Sequence, residues 1–188
     1  MQKDYDKICY LFFREAELGN WDQLTIKNIS KKLKVKEKEL KKIIPNKNYF
    51  LNFYNIKVDQ EVINSISEEE LKISSNDEII QEYFMYKLEV MNKYKFGFIN
   101  ILNISIKDPA FLLINLKSNR DSINKFIKKV SKKKKNISRV ILTKLLLATW
   151  LFAFNKWLYE DIENDSGLAI INKGISRIKN STNLFNKI

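Results

Sequence analysis

The 188-residue chain has no histidine. That absence excludes Ser-His-Asp and Cys-His catalysis, histidine-ligated zinc and the usual general base near neutral pH. Cysteine occurs once, as Cys9 within an apolar stretch, so an internal disulfide and a thiolate metal cage are both ruled out. A small buried hydrophobe is the expected role for that thiol. Glycine (4) and proline (2) are too few to supply the tight turns of a sandwich or barrel. The expected fold class is therefore all-α. No paired-carboxylate pattern or cofactor motif appears, and the chain reads as a non-enzyme that needs no cofactor and no metal.

Leader and membrane signals are also scarce. Residues Met1 to Asp6 are polar and hold two aspartates, unlike the start of a signal peptide. The greasiest run, Leu145 to Phe154, is bounded by Lys144 and Lys156 and is about half the ~20 residues a bilayer span needs. These features predict a cytoplasmic protein.

Lysine and aromatic residues are abundant. Lys+Arg 34 against Asp+Glu 22 gives +12, and Phe, Tyr and Trp make up 12% of the chain. The charge is localised. Thr25 to Phe50 holds nine lysines and two glutamates, a balance of +7, and Lys125, Lys128, Lys129, Lys132 to Lys135 and Arg139 add eight more positive charges. The second cluster reads as a solvated loop, although anionic lipid head groups would also suit it. The first implies a polyanionic partner.

Periodicity resolves the chain into helices. A first helix spans Asp4 to Leu18, and Gly19-Asn20 ends it. Thr25 caps a second helix with the stripe Ile26, Ile29, Leu33. After Lys34-Val35-Lys36 a third carries Leu40, Ile43 and Ile44 inward and Lys38, Lys41 and Lys42 outward, until Pro45 stops it. Asn46 caps a fourth containing Phe50, Leu51, Tyr54 and Val58. Three short helices with a three- or four-residue turn before the last form a helix-turn-helix pattern. Ser65 to Asp77 reads as a connector. Longer helices follow at Asp77–Tyr94, Phe96–Ile106, Asp108–Val130 and Ile137–Tyr159, and Asp165 caps a last one ending near Leu184.

The order Asn20-Trp21, Leu24-Thr25-Ile26, Ile29, Leu33, Val35, Leu40, Ile44-Pro45-Asn46-Lys47 and an apolar fourth helix resembles the tetracycline-repressor (TetR) family over roughly the first 60 residues. The resemblance implies about nine helices. It divides the chain into a DNA-binding domain, 1–50, and a helical ligand-binding and dimerisation domain, 51–188. By position it makes Thr25, Lys27, Lys36, Lys38, Lys41, Lys42 and Lys47 the DNA contacts. It also implies a homodimer on duplex DNA whose grip a small effector relaxes. Lys34 stands where the family usually has glycine, Lys36 where it has a Ser or Thr cap, Lys41 where it has tyrosine, and Ile44 where it has an aromatic. The segment Pro45 to Gln60 and the Trp-rich penultimate helix also resemble a TetR-fold branch of lipid-binding accessory proteins of ubiquinone biosynthesis. In that branch the reading helix is vestigial and the protein meets membrane lipid.

Two further expectations concern the larger domain. Phe84, Leu88, Met91, Phe98, Ile101, Phe111, Leu112 and Phe154 either line a cavity for an apolar or lipid-like effector or fill the core. Helix 137–159 is apolar on both sides, so one side needs a partner. Leu145, Thr149 and Phe152, with Leu168, Ile171 and Ile175 of the last helix, are the expected dimer face.

Overall fold

A computed structural model describes residues 2–67, 69–130, 136–160 and 166–181, with the side chains of 2–4, 71–72 and 136–138 excepted. Among them lie α1 (Gln2–Glu17), α2 (Ile26–Leu33), α3 (Glu37–Ile43), α4 (Phe50–Ser65), α5 (Glu70–Ile73), α6 (Asn76–Asn92), α7 (Lys95–Ser105), α8 (Pro109–Val130), α9 (Asn136–Tyr159) and α10 (Ser166–Ser181). No strand occurs among the described residues, and the fold is all-α. The caps at Asp165, the charged run Lys132 to Lys135 and the expected end at Leu184 lie outside the described residues.

Packing groups the chain differently from the division expected at residue 50. One compact unit joins residues 1–57 to 94–118, and the other joins 58–93 to 119–188. In the first, α1, the start of α4, and α7 share an aromatic core. Phe12 stacks on Phe50 (4.3 Å between centroids) and Phe13 on Tyr94 (4.3 Å), with Tyr54 edge-on to Phe13 (4.9 Å). Phe12, Phe13, Trp21 and Phe50 are all fully buried, and such rings carry both large apolar area and a preferred geometry. The Trp21 indole N–H, which needs a partner once buried, donates to Ser105 Oγ at 2.8 Å. Gly97 lets α7 approach α1, since a Cβ there would sit 2.7 Å from Phe13 Cδ1.

Two turns control this unit. Gly19 closes α1 at φ +77°. Lys34 closes α2 in the same left-handed region (φ 59°), where the Val35 N–H reaches back to Ser30 O at 3.0 Å and the Lys34 N–H to Lys31 O at 3.1 Å. A side chain in that region costs about 1–2 kcal/mol, and glycine gives back about 0.5–1 kcal/mol of this as backbone entropy. Lys34→Gly is therefore expected to raise stability by up to about 1 kcal/mol, read as a higher urea midpoint with an unchanged slope.

In the second unit α10 packs along α9 and against α6. Gly174 meets Thr149 and Gly167 meets Trp157, so the α9–α10 seam is closed by backbone approaching side chain. Tyr83 stacks on Phe126 (4.0 Å) and Phe84 on Trp150 (5.4 Å), with Ile127, Leu142, Leu146 and Ile171 fully buried around them. The connector at 65–77 contains the single turn α5, and Ser75 with Glu78 forms a capping box that starts α6. The 21 residues Arg139–Tyr159 are long and apolar enough to cross a membrane by length and composition, and 28% of their most apolar stretch is buried. This stretch extends the run Leu145 to Phe154 in both directions, because α9 continues through Lys144 and Lys156. Two lysines about three turns apart do not interrupt a helix.

Candidate nucleic-acid interface

The basic module is built on few anchors. Thr25 is extended (φ −125°, ψ 153°), and its hydroxyl accepts the Asn28 N–H at 3.2 Å, which starts α2. Ile26, Ile29 and Leu33 then point inward. After the left-handed Lys34, Lys36 precedes α3 without a side-chain cap. Within α3 only Leu40 is buried, at 2% exposure, and Ile44 beyond it is fully buried. Ile43, expected inside, is 45% exposed. A helix of seven residues held by one leucine leaves most of its circumference in solvent.

That circumference is lysine-rich. Lys27, Lys36, Lys38, Lys41 and Lys42 are exposed. Lys41 pairs with Glu37 one turn earlier at 2.7 Å. The Lys41 ammonium, helped by the charge of Lys27, holds the Glu37 carboxyl below its ordinary range. Among the described residues Lys36, Lys38 and Lys42 have no carboxylate partner, and Lys27 acts on Glu37 only through its charge. Lys32 is different. It is bonded to Glu15, which also accepts from Asn20 at 3.2 Å, and the Lys32 bond holds the Glu15 carboxyl below its ordinary range. The ammonium groups of Lys27 on α2, Lys36 just before α3, and Lys38 and Lys42 on α3 can neutralise phosphates.

Lys47 departs from the role implied by resemblance. Its ammonium donates to Trp21 O (3.1 Å) and Asp22 O (2.6 Å), and its side chain is 26% exposed. It fastens the α1–α2 connection to the turn before α4, which leaves it one donor at most for a phosphate. Asn48 continues this fastening, donating to Asp108 Oδ2 at 2.7 Å.

The expected effector pocket residues are drawn from both compact units. Phe84, Leu88, Met91 and Phe154 belong to the second unit, and Phe98, Ile101, Phe111 and Leu112 to the first. Most of the eight are core by burial. Leu112 is 43% exposed beside Leu113 at 67%, so that turn of α8 faces solvent. Of the expected dimer residues, Leu145 (37%) and Phe152 (63%) are exposed. Thr149 sits against Gly174, and Leu168 is half-buried. Ile171 and Ile175 are buried in the single chain, at 0% and 3%. α10 itself packs on α9 and α6.

One polar cluster in the second unit was not anticipated. Asp59 Oδ1 accepts from Tyr83 OH, Lys87 Nζ and Ser122 Oγ, each at 2.8 Å. Lys87 is 1% exposed, donates also to Ser122 Oγ at 3.0 Å, and lies 5.3 Å from the Trp150 ring centroid. Burial pushes the Lys87 ammonium below the ordinary lysine range, and Asp59 opposes that shift. Burial likewise pushes the Tyr83 phenol well above its ordinary value. The sequence signal for the cluster was a lysine inside the apolar stripe Ile80, Tyr83, Phe84, Leu88, Met91. Among the described residues no three His, Cys, Asp or Glu side chains are placed to hold a metal ion. Comparisons with protein-family models, curated proteins and solved structures found no match to this chain.

Proposed function

We propose that the chain is a ligand-responsive transcriptional regulator of TetR type that binds operator DNA as a homodimer. The observation that carries this reading is α3 itself: a short helix after a tight turn, anchored by Leu40, with Lys38, Lys41 and Lys42 outward. A helix of that kind lies in the major groove with its lysines on phosphates. Lysine is a poor bidentate reader and the module holds no arginine, so sequence preference comes from few groups and from DNA shape. The exposed Leu145 and Phe152 on α9 support a second copy as partner, since a large uncovered apolar strip is costly in water. A two-fold dimer presents two such helices to a pseudo-palindromic site, and a small apolar effector shifts the dimer between two spacings.

The test is selection of bound duplexes from a random pool at two salt concentrations. A recovered inverted repeat with half-sites about one helical turn apart supports the regulator. The absence of sequence preference at both concentrations overturns it. One observation favours the alternative of a non-enzymatic lipid-binding protein with a vestigial reading helix, namely the largely uncovered apolar length of Arg139–Tyr159. Lipid recovered by mass spectrometry from a protein without sequence preference is the result that reading expects.

A further inference from the structure

An open groove of about 300 Å³ runs between the end of α4, the turn α5 and the outer face of α6, all within the second compact unit. Its apolar lining is Val62, Ile66, Met85 and the partly exposed ring of Tyr86. Three carboxylates, those of Glu70, Glu82 and Glu89, stand along its walls. Glu82 and Glu89 are two helical turns apart on one side of α6, roughly 10 Å along the axis, with Tyr86 between them. Both are exposed, and among the described residues neither has an ion-pair or hydrogen-bond partner. Glu70 accepts the Ser67 N–H at 2.6 Å, which fixes its carboxylate and holds it below the ordinary range.

The surroundings set the sign of the ligand. Although the chain carries +12, residues 58–93 hold nine acids (Asp59, Glu61, Glu68, Glu69, Glu70, Asp77, Glu78, Glu82, Glu89) and three lysines. One of those lysines, Lys87, is buried against Asp59. Lys129 of α8 brings one ammonium close by, on Ile63 O at 3.1 Å, and the three groove carboxylates outnumber it, so a cation is favoured over an anion here. A bare metal ion needs converging oxygens, whereas these carboxylates are spread along an apolar floor. The volume is at the small end for a ligand pocket and too small for a peptide helix. We infer that this groove binds a small organic cation with an apolar body, its charge among Glu70, Glu82 and Glu89 and its body on Met85 and the face of Tyr86. An aromatic face and a thioether both favour such a group. The inference holds whether or not the chain binds DNA.

Tetraphenylphosphonium and its near-isosteric anion tetraphenylborate separate charge from greasiness. Calorimetric titration of the full chain at 0.15 M salt is expected to show one phosphonium bound per chain, with the Met85 methyl resonance moving in step. The Glu82→Gln/Glu89→Gln variant, which alters only exposed side chains and keeps its melting temperature, is expected to bind it at least tenfold more weakly. Tyr86→Leu is expected to lose several-fold. Unchanged phosphonium affinity in the double variant overturns the inference. So does an unmoved Met85 signal, or equal displacement of that signal by the borate.

Discussion

Asp59→Ala is expected to destabilise the protein by about 3–5 kcal/mol, because it strands a buried ammonium. In the intact cluster the three Lys87 protons meet Asp59 Oδ1, Ser122 Oγ and, at 3.4 Å, Tyr83 OH. Removing the carboxylate leaves two neutral hydroxyls and the Trp150 and Tyr83 rings around a charge that is 1% exposed. The cost is mainly desolvation without compensation. Lys87→Met alone leaves Asp59 with two hydroxyl donors and some solvent, since its side chain is 13% exposed, and is expected to cost less. The double substitution replaces the pair by apolar bulk and is expected to be more stable than Asp59→Ala. Urea unfolding of the four proteins gives the coupling directly. Additive costs for the two changes would mean that the pair carries no coupling.

The same variant carries a pH signature. Lys87 is pushed down by burial, and Asp59 supplies both influences that raise it, so without Asp59 its folded value falls further. The unfolded chain then binds more protons than the folded one between that lowered value and the unfolded lysine value of about 10.4. Stability accordingly rises with pH across this window and is lost as pH falls through it. The deficit of Asp59→Ala should shrink from neutral pH toward about 10. Tyr83 acts in the opposite sense. Its raised value makes the folded state retain a proton above about pH 10 that the unfolded chain gives up, so stability declines there. A pH-independent deficit would place Lys87 in contact with water once Asp59 is gone.

Local signals in the sequence foretold local structure well. Gly19, Thr25 and Asp108-Pro109 mark helix ends through backbone conformation and capping, and the helices start and stop there within a residue or two. Leu40 and Ile44 face inward as periodicity requires. Partners far apart in the chain are not encoded by period. Trp21 and Ser105 are 84 residues apart, and Asp59 meets Lys87 and Ser122 across 28 and 63 residues. Helical spacing says that a side chain is buried but not by what, which is why Ile171 and Ile175 read equally well as a dimer face. It also cannot distinguish a lysine reaching solvent from one bonded to carbonyl oxygens. Lys47 and Lys42 look alike as letters, yet one is fastened to the 21–22 turn and the other is free in solvent.

Charge reversal at Lys41→Glu/Lys42→Glu is expected to weaken duplex binding by roughly a hundredfold at 0.1 M salt, since each phosphate contact releases about 0.9 of a counterion and is worth nearly tenfold there. The slope of log affinity against log salt should fall in magnitude by about 2. Both side chains are exposed in the last turn of α3, so the substitutions leave Leu40 and Ile44 in place. They do oppose the helix dipole and set a second carboxylate one turn beyond that of Glu37, at a cost of about 0.3–1 kcal/mol each. The milder Lys41→Gln/Lys42→Gln variant keeps the effect on DNA separable from any loss of folding. A matched control, Lys125→Glu/Lys128→Glu, makes the same change of net charge on exposed positions of α8 in the other unit. If α3 enters a groove, the control should lose only a few-fold while the α3 variant loses nearly all of its affinity. Equal losses would mean that DNA responds to the net charge of +12 alone, and α3 would then be a solvated lysine face rather than a reading head.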